Sequence, residues 1–286
     1  IISVKYVDHT PTDPVLTTTN TGGGEYTIKD LYGNKALLIS YIMPGFVLAK
    51  LIYDMTRDVD WSKLEGMVLM NHGLFTFNDN AKKSYEKTIE LVDKAEKYLE
   101  AKGATLHVEK KESHAELLEL AKIRKEVSNL KGKATISILN DSHEAVYFSK
   151  LNIEHIATQG PLTPDHVIRT KRVPAILGNN FESELADYVK KYKKYFKDNK
   201  TNETLLNPAP NFAILKENGS LSFGANAKEA NIIKDINDHT FEAILKAKKL
   251  GGYKALSAAN IFEVEYWSLE QAKLKKGGSA PEFNGK

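Results

Sequence analysis

The sequence predicts an α/β fold in which strands pair through tight turns and amphipathic helices cover the sheet. The run GMVLMNHGLFTF at 66–77 is typical of two strands joined by a turn, and an amphipathic helix follows it as far as Gly103. The same order of hairpin and helix recurs at 211–250. With 286 residues, 42% hydrophobic and 27% charged, the chain has the composition of a globular protein with one large or two modest domains.

The other elements follow from local patterns. Residues 1–20 alternate like strands, and 22–35 are rich in turn residues. A buried strand begins at Ala36, and a helix restarts after Pro44 and Gly45. Further helices are predicted at 111–130, 181–196 and 227–250, further strands at 134–139, 211–215 and 220–223, and an extended linker at 207–210.

Charge and composition exclude several classes of protein. The 40 basic and 37 acidic residues are interspersed, whereas nucleic-acid binders concentrate positive charge, so the lysine-rich stretch 190–200 is interpreted as a solvated helix face. The absence of cysteine excludes disulfides, thiolate metal sites and a cysteine nucleophile. No run of 18 apolar residues and no signal peptide occur, so we expect a cytoplasmic protein without a membrane or nucleic-acid partner.

Both ends of the sequence suggest a longer protein. The chain opens on the apolar run IISVKYVDH without a methionine, so we expect further residues before it. Its end, 275–286, is polar and rich in glycine, typical of a linker.

An internal repeat relates the two halves. A shift of 146 positions places residues 68–83 over 214–229. The identities are Leu69, Gly73, Phe77, Asn80, Ala81 and Lys82 with Leu215, Gly219, Phe223, Asn226, Ala227 and Lys228. A duplication and the coincidence of two hairpins that each precede a capped helix both account for this. If the halves are duplicated, Asn218 replaces His72 and the second copy is structural.

Two histidines stand in distinctive settings, His9 in DHTPTD at 8–13 and His72 in NHG at 71–73. Either alone is most simply a hydrogen-bonded polar residue. Together they resemble the class II aldolase/adducin family. The longer runs DHTPTDPVLTTTNT, YIMPGFVLAKL, GPLTPDHVIRTKRVPA, LGGYKAL and FEVEYWSLEQAKL resemble, in matching order, the bifunctional rhamnulose-1-phosphate aldolase/dehydrogenase subgroup.

This resemblance implies a three-layer fold with a mostly antiparallel central sheet, followed by a second, smaller α/β unit. It implies a divalent metal, typically zinc, held by an H-x-H pair on a strand and a third histidine in an N-H-G turn. His9 and His72 are then metal ligands, because strand residues two apart face the same side and a neighbouring turn completes the site. We expect the two imidazoles to lie within about 8 Å of each other.

The sequence departs from the family pattern at Pro11, which stands where the second histidine of H-x-H is expected. Proline offers no ligand atom, Asp8 faces the opposite side of the strand, and Asp13 lies two residues further along. The family's catalytic glutamate and phosphate-binding loop would precede Ile1, so no catalytic residue is assigned.

Other polar residues are weaker candidates. His166, Arg169 and Lys171, beside Asp165, are predicted to bind substrate, the alternative being a surface strand with solvated charges. Asp235 and His239, one helical turn apart, either form a site or pack as a polar stripe. The segment 265–267 and Glu270–Gln271 are interpreted as packing or an interdomain contact.

The resemblance implies residues 1–108 as a class II aldolase-like domain, 109–276 as a helical connector with the second α/β unit, and 277–286 as a linker to a dehydrogenase domain beyond this sequence. NAD would bind only that domain, since no G-x-G-x-x-G occurs here. The implied function is metal-dependent cleavage of a ketose 1-phosphate by a homo-oligomer with a small sugar-phosphate substrate. Two alternatives remain open: an adducin-like assembly module without aldolase activity, and a protein whose dehydrogenase carries all the activity.

Overall fold

The computed structural model describes residue 2 and residues 4–106 and 108–276. These residues form two four-stranded sheets and twelve α-helices, which confirms the predicted α/β class. The chain divides into two compact units, unit 1 (Ile1–His107 and His239–Ala255) and unit 2 (Val108–Asp238 and Leu256–Lys286). The predicted linker, 277–286, lies outside the described residues. Within the described part of the chain, no helix has both the length and the apolar character needed to cross a membrane.

Unit 1 contains a sheet with the strand order β1-β4-β3-β2, in which only β2 and β3 run parallel. The expected mostly antiparallel sheet is therefore present. Its elements are β1 (Tyr6–Thr10), α1 (Asp13–Thr19), α2 (Gly24–Tyr32), β2 (Ala36–Ile39), α3 (Phe46–Met55), β3 (Gly66–Leu69), β4 (Gly73–Asn78) and α4 (Ala81–Ala101).

Both faces of this sheet are buried against helices. Val68 and Leu74 pack in one cluster with Leu91 of α4. On the other face, Met67 packs in a second cluster with Ile52 of α3. Successive strand residues point to opposite faces, and each fully buried side chain of this size contributes about 1.5–3 kcal/mol. The result is the expected three-layer arrangement.

Two local predictions in this unit are wrong. Residues 13–19 form α1 rather than a strand, because Pro14 fits the first helical turn, where no backbone donor is needed, and the Thr18 hydroxyl donates to the Pro14 carbonyl at 2.9 Å. The turn-rich stretch 22–35 contains α2, whose first residue, Gly24, lies so close to the Thr19 carbonyl that a side chain would collide with it. Tertiary burial overrides local pattern in both segments.

Unit 2 repeats the topology, with the strand order β5-β8-β7-β6 and the parallel pair β6–β7. It is the larger unit, not the smaller one expected, because extra helices surround the same sheet. Its elements are α5 (Leu117–Lys131), β5 (Ile136–Asn140), α6 (His143–Ser149), α7 (Ile153–Ile156), α8 (Val167–Thr170), β6 (Ala175–Leu177), α9 (Phe181–Asn199), β7 (Phe212–Leu215), β8 (Gly219–Gly224), α10 (Ala227–Ala247), whose second half belongs to unit 1, α11 (Ala258–Glu265) and α12 (Ser268–Lys276).

The predicted repeat is confirmed at the level of these elements. The β3–β4 and β7–β8 hairpins each lead into a 21-residue helix, α4 and α10. The Asn80 side chain accepts a hydrogen bond from the Lys83 amide at 3.1 Å, and the Asn226 side chain accepts one from Glu229 at 2.9 Å. Both helices therefore begin at an asparagine N-cap in equivalent positions.

Candidate functional site

His9 is held on β1 by its neighbours on β4. It lies opposite Phe75 in the antiparallel register, and the two rings stack with centroids 4.0 Å apart. The ring nitrogen Nδ1 lies 3.0 Å from the carbonyl oxygen of Leu74. Because a carbonyl can only accept, Nδ1 donates, and the lone pair of Nε2 is the one suited to bind a cation.

His72 lies in the tight turn between β3 and β4. The turn is closed by the pairing of Leu69 with Gly73 and by a 3.1 Å hydrogen bond from the His72 amide to the Leu69 carbonyl. Asn71 has a φ of 58°, a left-handed conformation that asparagine tolerates better than most residues. Its side-chain amide donates to the side chain of Asn20 at 3.0 Å. This buried contact fixes the conformation that presents His72.

Gly73 lets this turn approach β1 closely. A Cβ at this position would lie 2.7 Å from the Thr10 carbonyl oxygen, 3.0 Å from the Pro11 Cα and 3.1 Å from the His9 ring, and its φ is +144°. Any other residue would therefore push the turn away from the strand that carries His9.

The two predicted metal ligands meet as expected. The rings of His9 and His72 are 5.1 Å apart between centroids and nearly parallel, with an interplanar angle of 5°. Metal–nitrogen bonds of about 2 Å place each ring centre about 3 Å from a shared ion, so two bound rings have centres about 5–6 Å apart. The separation of the ring centres is therefore within the reach of one divalent cation shared by two imidazoles.

A third protein ligand is not provided by the part of the chain that the structure describes, where no group of three His, Cys, Asp or Glu side chains could hold a metal. Pro11, which follows the last residue of β1, stands where the family resemblance places the second strand histidine. Asp8 lies opposite Thr76, whose hydroxyl donates to the Ser84 carbonyl of α4, so it belongs to the other face of the sheet from His9.

Asp13 contacts a histidine that is distant in the sequence. Its carboxylate lies 2.5 Å from Nδ1 of His239 on α10. The pairing of His239 with Asp235 that the helical spacing suggested stays a prediction. Sequence reasoning could not have found the contact with Asp13, because 226 positions separate the partners.

The predicted substrate-binding residues of the second half do not all line the same described cavity. His166 closes a 3-10 turn, and Arg169 is half-buried on α8, where its carbonyl accepts from Asn211 at 2.7 Å. Lys171 is only 7% exposed and lines a cavity of about 360 Å³, whereas His166 and Arg169 are not among the described residues that line it. A role in substrate binding stays a prediction for all three.

Lys171 belongs to a buried polar cluster. Its ammonium donates to the Tyr192 hydroxyl at 2.9 Å and lies 3.5 Å from Oε1 of Glu265, which also accepts from Tyr192 at 2.7 Å. Burial lowers the pKa of Lys171, although the negative charge of Glu265 opposes that shift. The pKa of Tyr192 is raised, first by burial and then by Glu265. The prediction that 265–267 only packs or makes an interdomain contact missed this cluster.

The backbone of Lys171 is strained. Its φ of 68° and ψ of 171° lie in a region that glycine alone adopts readily, at a cost of about 1–3 kcal/mol for other residues. Strain of this kind persists only where the surroundings hold it, and here the amide of Lys171 bonds the Val167 carbonyl at 2.9 Å while the side chain is held by its cluster.

The chain is similar to two known proteins. Over 305 aligned residues it is 26% identical to an uncharacterized oxidoreductase, YuxG, from Bacillus subtilis (strain 168), and the match covers 99% of this chain and 44% of that protein. It is 35% identical to the N-terminal class II aldolase domain of a conserved protein from Thermoplasma acidophilum, over 34% of this chain and 44% of that one. The TM-score of that second match is 0.30, too low to support a conclusion.

A family model decides the assignment. The model described as the second domain of class II aldolases matches residues 114–274, more than half of the chain and almost all of the described part of unit 2. The chain therefore belongs to the class II aldolase family.

Proposed function

We propose that this chain is the aldolase portion of a metal-dependent lyase, in which His9 and His72 bind a divalent cation, with zinc as the expected metal. The proposed reaction is retro-aldol cleavage of a ketose 1-phosphate such as rhamnulose 1-phosphate to dihydroxyacetone phosphate and a lactaldehyde-like aldehyde. The observation that carries the proposal is the 5.1 Å separation of the two imidazoles. Membership in the class II aldolase family, whose members generally use a divalent metal, supports it.

The chain's own residues hold and orient the two ligands. The Leu74 carbonyl selects the His9 tautomer whose Nε2 can bind a cation, and the Asn71–Gly73 turn places His72 beside it. When bound, the cation supplies Lewis-acid polarisation of the substrate carbonyl. Two imidazoles without a third protein ligand hold zinc weakly, so metal should be lost easily.

Pro11 supports a second candidate function, an adducin-like assembly domain with impaired catalysis. The chain spans 44% of the length of its Bacillus subtilis relative, which is named as an uncharacterized oxidoreductase. A fusion in which a dehydrogenase with its own NAD site follows residue 286 would agree with that description. We also propose the domain division 1–108, 109–276 and 277–286 for that longer protein, acting as a homo-oligomer.

The test combines metal content with a retro-aldol assay on the full-length protein. We expect substoichiometric metal and little or no cleavage as purified, cleavage when zinc is added, and loss of both in His72→Ala. Pro11→His should raise metal occupancy, because it adds the missing ligand beside His9.

Asp141→His is the matched control. Asp141 lies against Gly219 in unit 2 as Pro11 lies against Gly73 in unit 1, but Leu139 and Asn218 replace the two histidines there. A histidine at 141 should therefore leave metal content unchanged. Full zinc occupancy in the unmodified protein would show that another residue completes the site. Absence of cleavage in fully loaded Pro11→His protein would favour the assembly domain.

A further inference from the structure

Unit 2 contains a polar cavity separate from the two histidines. Its volume of about 360 Å³ lies near the lower end of the range for small-molecule sites. Three lysines and two glutamates contribute to its wall, together with amide side chains. The polar residues that line it are Lys131, Lys133, Lys171, Asn207, Asn211, Glu229, Glu265 and Gln271.

Three lysines but only two glutamates of the described residues line this cavity, so its wall carries more positive than negative charge. The Lys131 ammonium donates to neutral oxygens, the side chain of Asn211 at 2.7 Å and the carbonyl of Phe223 at 3.1 Å. The pKa of Lys131 is lowered to about 8, chiefly by burial and also by repulsion from Lys133 and Lys171, while Glu229 acts in the opposite direction. An anion in the cavity would relieve this repulsion.

A buried carboxylate in the same wall is incompletely hydrogen-bonded. Oε1 of Glu265 is engaged by Tyr192 and Lys171, whereas Oε2 is buried without a hydrogen bond of normal geometry among the described residues. The Tyr195 hydroxyl, whose pKa is raised by burial and also by Glu265, is the nearby protein donor with which a ligand would compete for this carboxylate. Glu265 as a whole is 1% exposed. A buried acceptor left without a donor is unfavourable, and a ligand hydroxyl is a group that could satisfy it.

The backbone strain at Lys171 points to the same place. Its side chain is one of the two that hold Oε1 of Glu265, and strained residues cluster at ligand sites. The cavity wall therefore combines the ammonium groups of residues 131 and 133 with Glu265, whose carboxylate is buried and incompletely hydrogen-bonded.

We propose that this cavity binds a small phosphorylated polyol, with its phosphate at Lys131 and Lys133 and a hydroxyl donating to Oε2 of Glu265. Two ammonium groups match the charge of a phosphate dianion, and ammonium-to-phosphate hydrogen bonds are among the stronger ones in proteins. The site lies in unit 2 and needs no metal, so it does not depend on the function proposed for His9 and His72.

The experiment measures binding to the full chain by isothermal titration calorimetry, with glycerol 3-phosphate, inorganic phosphate and glycerol as probes. We expect glycerol 3-phosphate to bind more tightly than phosphate, and glycerol not to bind. Lys131→Met should weaken glycerol 3-phosphate binding about tenfold or more. Lys133→Met should weaken it in the same direction, and Lys133 is exposed, so that substitution leaves the fold intact.

Two further variants make the result specific. Lys125→Met removes an exposed lysine from the same helix, α5, and should leave binding unchanged. Glu265→Gln should reduce the preference for glycerol 3-phosphate over phosphate, and His72→Ala should change nothing. The proposal is overturned if glycerol 3-phosphate shows no saturable binding, or if Lys133→Met and Lys125→Met behave alike.

Discussion

Gly73→Ala tests whether the close approach of the hairpin turn to β1 creates the histidine pair. The added methyl would lie 2.7 Å from the Thr10 carbonyl oxygen and 3.0 Å from the Pro11 Cα, and both are backbone atoms that cannot rotate away. The φ of +144° adds conformational strain of about 1–3 kcal/mol for an L-residue. Together with the displacement that the methyl requires, we expect a loss of about 2–4 kcal/mol in the free energy of unfolding.

The same methyl would disturb the two histidines proposed to bind the metal. Because it also lies 3.1 Å from Cε1 of His9, relief of the clash must move the turn, and His72 with it, away from β1. A shared ion tolerates only small changes in the positions of its ligands, so zinc affinity should fall together with stability.

Gly103→Ala provides the control. Gly103 has a φ of +64° with nothing within 4 Å of the added methyl, so its cost is the left-handed strain alone, about 1 kcal/mol. Urea unfolding, monitored by circular dichroism, measures the loss of stability. Competition with a chromophoric chelator measures the change in zinc affinity. If Gly73→Ala loses no more stability than Gly103→Ala and binds zinc as the unmodified protein does, the turn does not set the spacing of the histidines.

Two further predictions concern buried polar groups. Thr76→Val removes a buried hydroxyl that donates to the Ser84 carbonyl at 3.0 Å and lies 2.6 Å from the Thr88 hydroxyl, so urea unfolding should show a loss of about 1–2 kcal/mol, with the exposed Thr105→Val near zero as control. Lys131, with its folded pKa lowered from 10.5 to about 8, destabilises the folded state below pH 8 and does so less as pH rises toward 10.5. The unfolding free energy of the unmodified protein relative to Lys131→Met should therefore rise between pH 8 and 10, and a flat or falling difference would contradict the assignment.

The sequence predicted secondary structure correctly where that structure depends only on residues close together in the chain. The two hairpins and the helices that follow them were predictable because turn residues and the 3.6-residue period lie within single segments. The proximity of His9 and His72 was predictable through family resemblance, which placed the turn of His72 beside the strand of His9, whereas the pairing of β1 with β4 was not predicted.

The features that the sequence did not predict depend on contacts between residues far apart in the chain. The cluster of Lys171, Tyr192 and Glu265 joins residues as many as 94 positions apart, and each looks unremarkable in its own segment. Local strand-like alternation misled at residues 13–19, where buried threonines bond back to the helix backbone. A single sequence does not show which distant segments will bury a residue or pair with its strand.

Comparison of equivalent positions in the two units distinguishes residues that the fold requires from residues that only a functional site would require. Gly73 and Gly219 occupy equivalent turns, and at both positions a Cβ would collide with the backbone of the adjacent edge strand, so the glycine serves the packing of the hairpin. The position of His72 is taken in the second unit by Asn218, whose side chain accepts from the amide of His114 at 2.7 Å.

The strand registers make Leu139 of unit 2 equivalent to His9. Leu139 pairs with Leu221 in the same way that His9 pairs with Phe75. Unit 2 therefore forms the same topology without a histidine at either position, so the topology does not explain why unit 1 has both. A function specific to unit 1 explains their presence, and two adjacent imidazoles are suited above all to binding a metal ion. If the proposed metal site is correct, Pro11 should lower its affinity without altering the fold that brings the two histidines together.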